Sequence, residues 1–328
     1  MPVESNGLIV GRYRIEGKLG QGGMGAVYRA FDLHLELPCA LKQLGLAHLP
    51  TEEVTRRQRT AGKPRLTREV AAEQFRQEAR LLARLEHPGL PRVTDCFAVG
   101  DDHYLVMTLV EGEDLEEALA RAATGFPEPE VLAWVVQVMD ALDYCHAQGV
   151  IHRDVKPANI IVTAAGKVYL VDFGIAKLAG LTQLTPIGAR AATTGYSPIE
   201  QYTGHEHTGV CSDIYALGAT MYALLTGQAP RAAGLRVAGG DMPSPRALAP
   251  GVSVKMDAVV MRALAIRPAE RFQSVAEMRG ALPVAIAGRD APLDRLIVEL
   301  DAAQRERAWA RLQILLSEIT RRVAVDKP

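Results

Sequence analysis

The sequence predicts an α+β protein of two lobes, a small β-rich lobe followed by a larger, mostly helical one. Three observations carry that reading. From residue 8 to 110, five short strand-type runs are interrupted by a single strong helix. After residue 114 the apolar spacing turns helical, and a short connector near 110–114 lies between the two regimes. A chain of 328 residues, 48% hydrophobic and 23% charged, is long enough to give each lobe a core. Two lobes imply a cleft, and clefts are where ligands bind.

The strand runs are "GRYRIEGKLGQ", "AVYRAFDL", "LPCALKQL", "TDCFAVG" and "YLVMTLV", separated by Gly, Asp or Pro signals. The interrupting helix is predicted over 69–87, where Phe75, Ala79, Leu82 and Leu85 recur at helical spacing until His87-Pro88-Gly89. In the second lobe, 130–149 reads as a helix entered after Pro127 and Pro129 and stopped by Gly149. Hairpin-like strands follow at 158–163 and 167–171, then an irregular segment to about 203, then helices at 213–226, 253–266 and 274–282.

A formal net charge of −1 gives no field that would favour nucleic acid or a membrane surface. The cysteines at 39, 96, 145 and 211 are scattered in apolar or mixed contexts and read as reduced core thiols of a cytoplasmic protein. The N-terminus lacks the basic-then-apolar order of a signal peptide. The longest apolar run, "YALGATMYALL" at 215–225, falls short of the roughly 18 residues a membrane span needs and reads as a buried helix.

The chemistry concentrates in four places. "GVIHRDVKPANIIV" (149–162) sets His152, Arg153, Asp154, Lys156 and Asn159 between apolar flanks, where unpaired charge would be costly to bury. "KLGQGGMGAVYRA" holds Gly20, Gly22 and Gly25 in G-x-G-x-x-G spacing, and glycines let a backbone approach phosphate closely. A dinucleotide fingerprint would need a helix to start there, whereas a strand-like "AVYRAF" follows, so the loop reads as a hairpin lid over a nucleotide. Lys42 ends the run Cys39-Ala40-Leu41-Lys42, and Glu78 lies one turn before Leu82 beside the helical stripe. Singly, that lysine reads as a solvated strand end and that glutamate as a surface partner of an arginine; the functional alternative is an ion pair between them that fixes Lys42 on a nucleotide's phosphates.

These motifs, with Asp172-Phe173-Gly174, occur in the order of the protein-kinase signature set. The chain resembles the eukaryotic-type (Hanks-type) bacterial serine/threonine protein kinases, and "GQGGMGAVYRA" and "GYSPIEQY" resemble the bacterial branch. The resemblance implies the two-lobed kinase fold over 13–282, with a lobe boundary near 110, an extension at 1–12 and a helical tail at 283–328. It implies transfer of the γ-phosphoryl group of ATP to Ser or Thr hydroxyls of protein substrates, with Mg²⁺ and with Mn²⁺ as the alternative metal. In that picture Asp154 orients or deprotonates the substrate hydroxyl, Lys156 lies beside the γ-phosphate, and Asn159 and Asp172 hold the metal. Lys42 with Glu78 positions the phosphates under the loop of Leu19, Gly20, Gln21, Gly22, Gly23, Met24, Gly25 and Ala26. Val27 and Ala40 form the roof of the adenine slot, Ile161 its floor and Met107 its gatekeeper, with Thr108 and Val110 bonding the base edge. Asp114 either binds the ribose hydroxyls or caps the helix of "DLEEALARA". His152 is implied to pack with Phe173 and Leu82 as a spine, and Asp213 to anchor the catalytic loop.

Departures from the family are few. The segment after Lys42 is long and basic, with Arg56, Arg57, Arg59, Lys63, Arg65 and Arg68 close together; it reads as a solvated insertion at 51–69, with a docking patch as the sharper alternative. The family's Ala-Pro-Glu is Pro198-Ile199-Glu200, and Arg271 is the implied partner of Glu200. Thr182 and Thr185 are the autophosphorylation candidates among Thr182, Thr185, Thr193, Thr194 and Ser197, with Thr193 structural. From 290 to 324 an apolar stripe at helical intervals predicts an amphipathic tail that docks on its own domain, a dimer seam or regulatory-partner helix being the alternative. The rival readings are a catalytically silent nucleotide-binding scaffold, opposed by the intact motif residues, and a small-molecule kinase, opposed by the "TTGY" and Pro-Ile-Glu stretches.

Overall fold

A computed structural model describes residues 8–9, 12–22, 25–46, 67–122, 124–173, 195–203 and 208–283. The basic insertion apart from Thr67, Arg68 and Glu69, the threonines 182, 185, 193 and 194, Gly23, Met24 and the tail beyond Pro283 lie outside the described residues.

The first lobe is an antiparallel sheet of β1 (Leu8–Ile9), β2 (Tyr13–Gly22), β3 (Gly25–Asp32), β4 (Leu37–Gly45), β5 (Val93–Val99) and β6 (Asp102–Thr108), in the order β1-β2-β3-β4-β6-β5. Period-two alternation divides its residues between two clusters. Tyr13, Ala30, Cys39, Leu41, Tyr104 and Val106 form a small cluster of their own. On the opposite side chains of β4 and β6, Leu44 and Leu105 join the main core with Phe75 and Leu82. Lys42 pairs in register with Val27 and Leu105, and Ala40 with Met107, so these five share one face. Arg12 fastens the sheet's edge, donating from Nε and Nη2 to Asp32 at 3.1 and 2.8 Å and from Nη1 to Asp95 at 3.1 Å.

Helix α1 (Arg68–Leu82) is capped by Thr67, whose side chain accepts the Val70 N–H, and buries Ala71, Ala72, Phe75, Glu78, Ala79 and Leu82. It ends five residues before the predicted His87. The chain tightens there, with Arg84 N–H bonded to Leu81 O and Leu85 N–H to Leu82 O, which keeps Leu85 and Leu90 in the core.

The second lobe holds α2 (Leu115–Ala122), α3 (Glu128–Ala147), α4 (Glu200–Thr203), α5 (Val210–Thr226), α6 (Ala233–Val237), α7 (Pro245–Leu248), α8 (Val254–Ala263) and α9 (Val275–Ala281). A second small sheet, β7 (Glu113–Asp114), β8 (Ile160–Val162) and β9 (Val168–Leu170), starts at the connector. The short helices α6 and α7 are additions to the predicted elements. The apolar run at 215–225 is a core helix as predicted: every residue of α5 from Ser212 to Leu225 is buried. Among the described residues no helix is long and apolar enough to cross a membrane.

The cysteine expectation holds in part. Cys39 and Cys145 are buried, and burial raises their thiols to about 11 and about 12. Cys96 is exposed, on the outward set of the alternating strand β5.

Arg271, 1% exposed, is the most demanding group of this lobe. Its five N–H groups are all used: a fork on Glu200 at 2.7 and 3.1 Å, and the carbonyls of Ala265, Cys211 and Ile266 at 2.8, 2.9 and 2.9 Å. Ser212 Oγ donates to the same glutamate at 2.9 Å. Removing one partner of such a pair strands a buried charge, so Arg271→Ala is expected to cost about 3–5 kcal/mol. Urea unfolding would read this as a lowered midpoint at unchanged slope; a midpoint equal to wild type would contradict it.

Candidate active site

The loop from Ile151 to Asn159 follows α3 and is held from beneath by α5. Asp213, with no exposed side-chain surface, accepts the backbone N–H groups of His152 at 2.8 Å and Arg153 at 2.7 Å, and His146 Nε2 at 2.8 Å. Arg153 sits at φ 65°, a conformation disfavoured for a bulky residue, and Gln201 Nε2 donates to its carbonyl at 3.1 Å. His152 is fully buried. Its Nδ1 accepts the Asp154 N–H at 3.3 Å, which puts its proton on Nε2, donated to the Val171 carbonyl at 3.1 Å. Burial pushes the ring's pKa down, so it is a neutral structural group. Its ring lies 4.5 Å from that of Phe173, and Phe173 lines one narrow cavity with Leu82, as expected of the spine.

Asp154 is then fixed from two sides. Asn159 Nδ2 donates to its carbonyl at 2.7 Å and to its carboxylate at 2.9 Å, and Lys156 Nζ lies 3.0 Å from the same oxygen. Donating through Nδ2 leaves the Asn159 Oδ1 as an acceptor without a partner among the described residues. The Val171 N–H bonds the Asn159 carbonyl at 2.9 Å, which brings Asp172 beside it. Asp172, at φ 62°, is the second strained residue of the site. A carboxylate and a carboxamide oxygen are the hard donors a Mg²⁺-type cation takes.

Lys42 is paired with Asp172 and donates to the Phe173 carbonyl at 3.1 Å. The expected Lys42–Glu78 ion pair is absent among the described residues. Glu78 is buried at 6% exposure, and desolvation pushes its carboxyl up to about 7, against the pull of Arg153 and Lys42. Burial disfavours the charge that Glu78 would have to offer the lysine, and Lys42 is paired with Asp172 instead.

The three loop glycines differ in what they serve. A Cβ at Gly25 would overlap the Gln43 carbonyl, so this glycine is required by β3–β4 packing. A Cβ at Gly20 would meet nothing within 4 Å, so packing within the chain does not require this glycine. Leu19 and Gln21 are exposed, Gly22 pairs with Gly25, Ala26 and Ala40 are buried, and Val27 is half-buried. Met107 lines the cavity that also touches Lys42 and Asp172. At the connector the Thr108 N–H is taken by the Arg92 carbonyl at 2.9 Å, whereas the Val110 N–H has no partner among the described residues. Asp114 caps α2, its Oδ1 accepting the N–H groups of Glu116 and Glu117 at 2.9 Å each. Ile161 lies beneath the connector, where a Cβ at Gly112 would strike its Cγ2.

Residues 13–237 match the family model described as protein kinase domain. The chain belongs to the protein kinase domain family. PknH of Mycobacterium bovis, named a serine/threonine-protein kinase, is 36% identical over 290 residues, 87% of this chain and 46% of that protein. PknJ of Mycobacterium tuberculosis, also so named, is 38% identical over 297 residues, 87% of this chain and 47% of that protein. The chain spans about half the length of the curated relatives it matches. Among solved structures, the apo form of PpkA-294 matches with a TM-score of 0.69 at 29% identity, covering 85% of this chain and 98% of that one. The PknI kinase domain of Mycobacterium tuberculosis matches with a TM-score of 0.63 at 31% identity, covering 84% and 97%.

Sequence reasoning missed His146 and Gln201. Both flank motif residues, His146 six positions before His152 in the last turn of α3 and Gln201 directly after Glu200; their polarity beside a kinase motif is the signal that could have found them.

Glu78 yields a pH prediction. Its folded pKa lies above the ordinary 4.5, so as pH rises from about 4.5 to 7 the unfolded chain ionises first and the native state loses stability. Glu78→Gln removes that loss, so its stability advantage should grow by up to about 3 kcal/mol between pH 5 and pH 8. Denaturant titrations at both values test it; a gap independent of pH would refute it.

Proposed function

We propose that the chain is a serine/threonine protein kinase that transfers the γ-phosphoryl group of ATP to hydroxyls of protein substrates. The observation that carries this reading is the Asp154 carboxylate held by Asn159 and Lys156 within 3.0 Å, beside the Lys42–Asp172 pair. Phosphoryl transfer needs little covalent help and much positioning and charge neutralisation.

The substrate hydroxyl oxygen bonds to the γ-phosphorus as the bond from that phosphorus to the bridging oxygen breaks, leaving ADP, and the hydroxyl proton passes to Asp154. Lys156 offsets charge on the transferring group, and Lys42 offsets charge on the phosphates under Gly20. The free Val110 N–H and the Thr108 carbonyl serve the base edge, since the Thr108 N–H is already used. Asp114 keeps one carboxylate oxygen beyond its capping bonds for the ribose. Asp172 and the Asn159 Oδ1 would hold Mg²⁺, or Mn²⁺ in its place, which supplies charge neutralisation across the phosphates. Glu78 supports Lys42 when it is ionised. The kinase domain is read as 13–282, flanked by 1–12 and 283–328, in a cytoplasmic protein, with Thr182 or Thr185 as autophosphorylation sites.

Asp154→Asn keeps the shape and removes the proton acceptor. Its kcat with labelled ATP, Mg²⁺ and a generic basic protein substrate is expected to fall by about 10²–10⁴, with nucleotide affinity retained. Equal transfer by the variant would overturn the role of Asp154; nucleotide binding without transfer by the wild type would favour the scaffold reading.

A further inference from the structure

Behind the cleft lie two hollows of about 470 and 350 Å³ that share His87, Pro88 and Lys167. One runs along α3 past Asp140, Asp143 and Tyr144; the other runs past Arg92, Tyr169 and the connector residues Thr108 to Glu111. Sharing three residues makes them one groove.

Its walls are tied together. Gln137 Oε1 accepts the Val168 N–H at 3.0 Å and its Nε2 donates to Gly166 O at 3.2 Å, joining α3 to the β8–β9 turn. The Leu170 N–H bonds the Gly89 carbonyl at 2.9 Å, and the Glu86 N–H bonds the Tyr144 hydroxyl at 2.9 Å. His87 stacks on Tyr144 with ring centroids 5.2 Å apart, its Nδ1 taken by the Gly89 N–H at 3.0 Å. The groove is therefore built before any occupant arrives, which lowers the ordering cost of binding.

Its charges point to an occupant. Asp140 is held by Arg279 at 2.7 Å and Arg92 by Glu86 at 3.2 Å. Asp143 on α3 has no cation partner among the described residues. Lys167 on the hairpin turn has no carboxylate partner there, and its ammonium lies 4.5 Å over the Tyr169 ring. Two opposite charges without an ionic partner among the described residues, on separate walls of a groove also lined by His87, Pro88 and Tyr144, complement an extended segment carrying the reverse order.

We propose that this groove docks a linear peptide segment of a protein partner, with a Lys or Arg placed on Asp143, apolar side chains on His87, Pro88 and Tyr144, and an Asp or Glu placed on Lys167. As a means of holding protein substrates away from the catalytic cleft it rests on the kinase reading; as a binding site it stands on its own.

The test uses the full chain and a fluorescein-labelled twelve-residue synthetic peptide with an arginine pair at one end, two leucines in the middle and a glutamate pair at the other. A second peptide carries the same leucines with the charged ends exchanged residue for residue against a fixed chain direction. Polarisation should show the wild type binding one of the two in preference. Asp143→Lys and Lys167→Glu should each weaken that binding about tenfold, and the double variant should prefer the other peptide. Unchanged binding in the double variant, or no binding of either peptide at millimolar protein, would overturn the proposal. Because polarisation needs no phosphoryl transfer, that failure is separate from any failure of the kinase assay.

Discussion

A buried carboxylate must have its oxygens bonded, and Asp213 shows how much structure one such group can hold. Two backbone N–H groups and an imidazole converge on it. The two backbone donors belong to His152 and Arg153, the residues just ahead of Asp154. Fixing them fixes the direction in which the chain presents Asp154, and through Asn159 and Val171 it also fixes Asp172. The strained Arg153 is thus held by a bond on each side of its φ 65° turn, from Asp213 to its N–H and from Gln201 to its carbonyl. Strain of about 1–3 kcal/mol persists only where the surroundings determine it in this way.

The same turn of α5 serves a second purpose. Cys211 gives its carbonyl to Arg271, Ser212 gives its hydroxyl to Glu200, and Asp213 takes the catalytic loop. Three successive residues at the start of an otherwise apolar helix therefore join the Glu200–Arg271 pair to the Asp154 loop. Both attachments lie on one closely packed stretch of helix, since α5 is buried from Ser212 to Leu225.

What was legible in the sequence was what has a local signature. The strands announce themselves by alternation, α5 by its unbroken apolar run, and the motif residues by charge set between apolar flanks. The Asp213 anchor, the His152–Phe173 packing and the Glu200–Arg271 pair follow from the family resemblance. What was not legible depends on competition in space. Gly25 and Gly20 look alike in sequence, yet only Gly25 is required by its neighbours. The end of α1 at Leu82 is set by where Leu85 and Leu90 must go, not by the Pro88-Gly89 signal beyond. Lys42 is paired with Asp172 rather than with Glu78, whose burial disfavours its charge, and no spacing rule carries that information.

Charge counting accounts for that last outcome. Among the described residues of the site, Lys42, Lys156 and Arg153 supply three cations, and Asp172, Asp154 and Asp213 supply three carboxylates. Lys42 and Lys156 each have a carboxylate as direct partner, and Arg153 lies in the field of Glu78 and Asp213. Glu78 is a further buried carboxyl, and desolvation outweighs the pull of Arg153 and Lys42 and favours its proton. A nucleotide would bring several negative charges and a metal ion two positive ones, and both would change the count. The group that answers such a change most readily is the one whose pKa already lies near neutrality. In this site that is Glu78, whose carboxyl is pushed up to about 7 by burial.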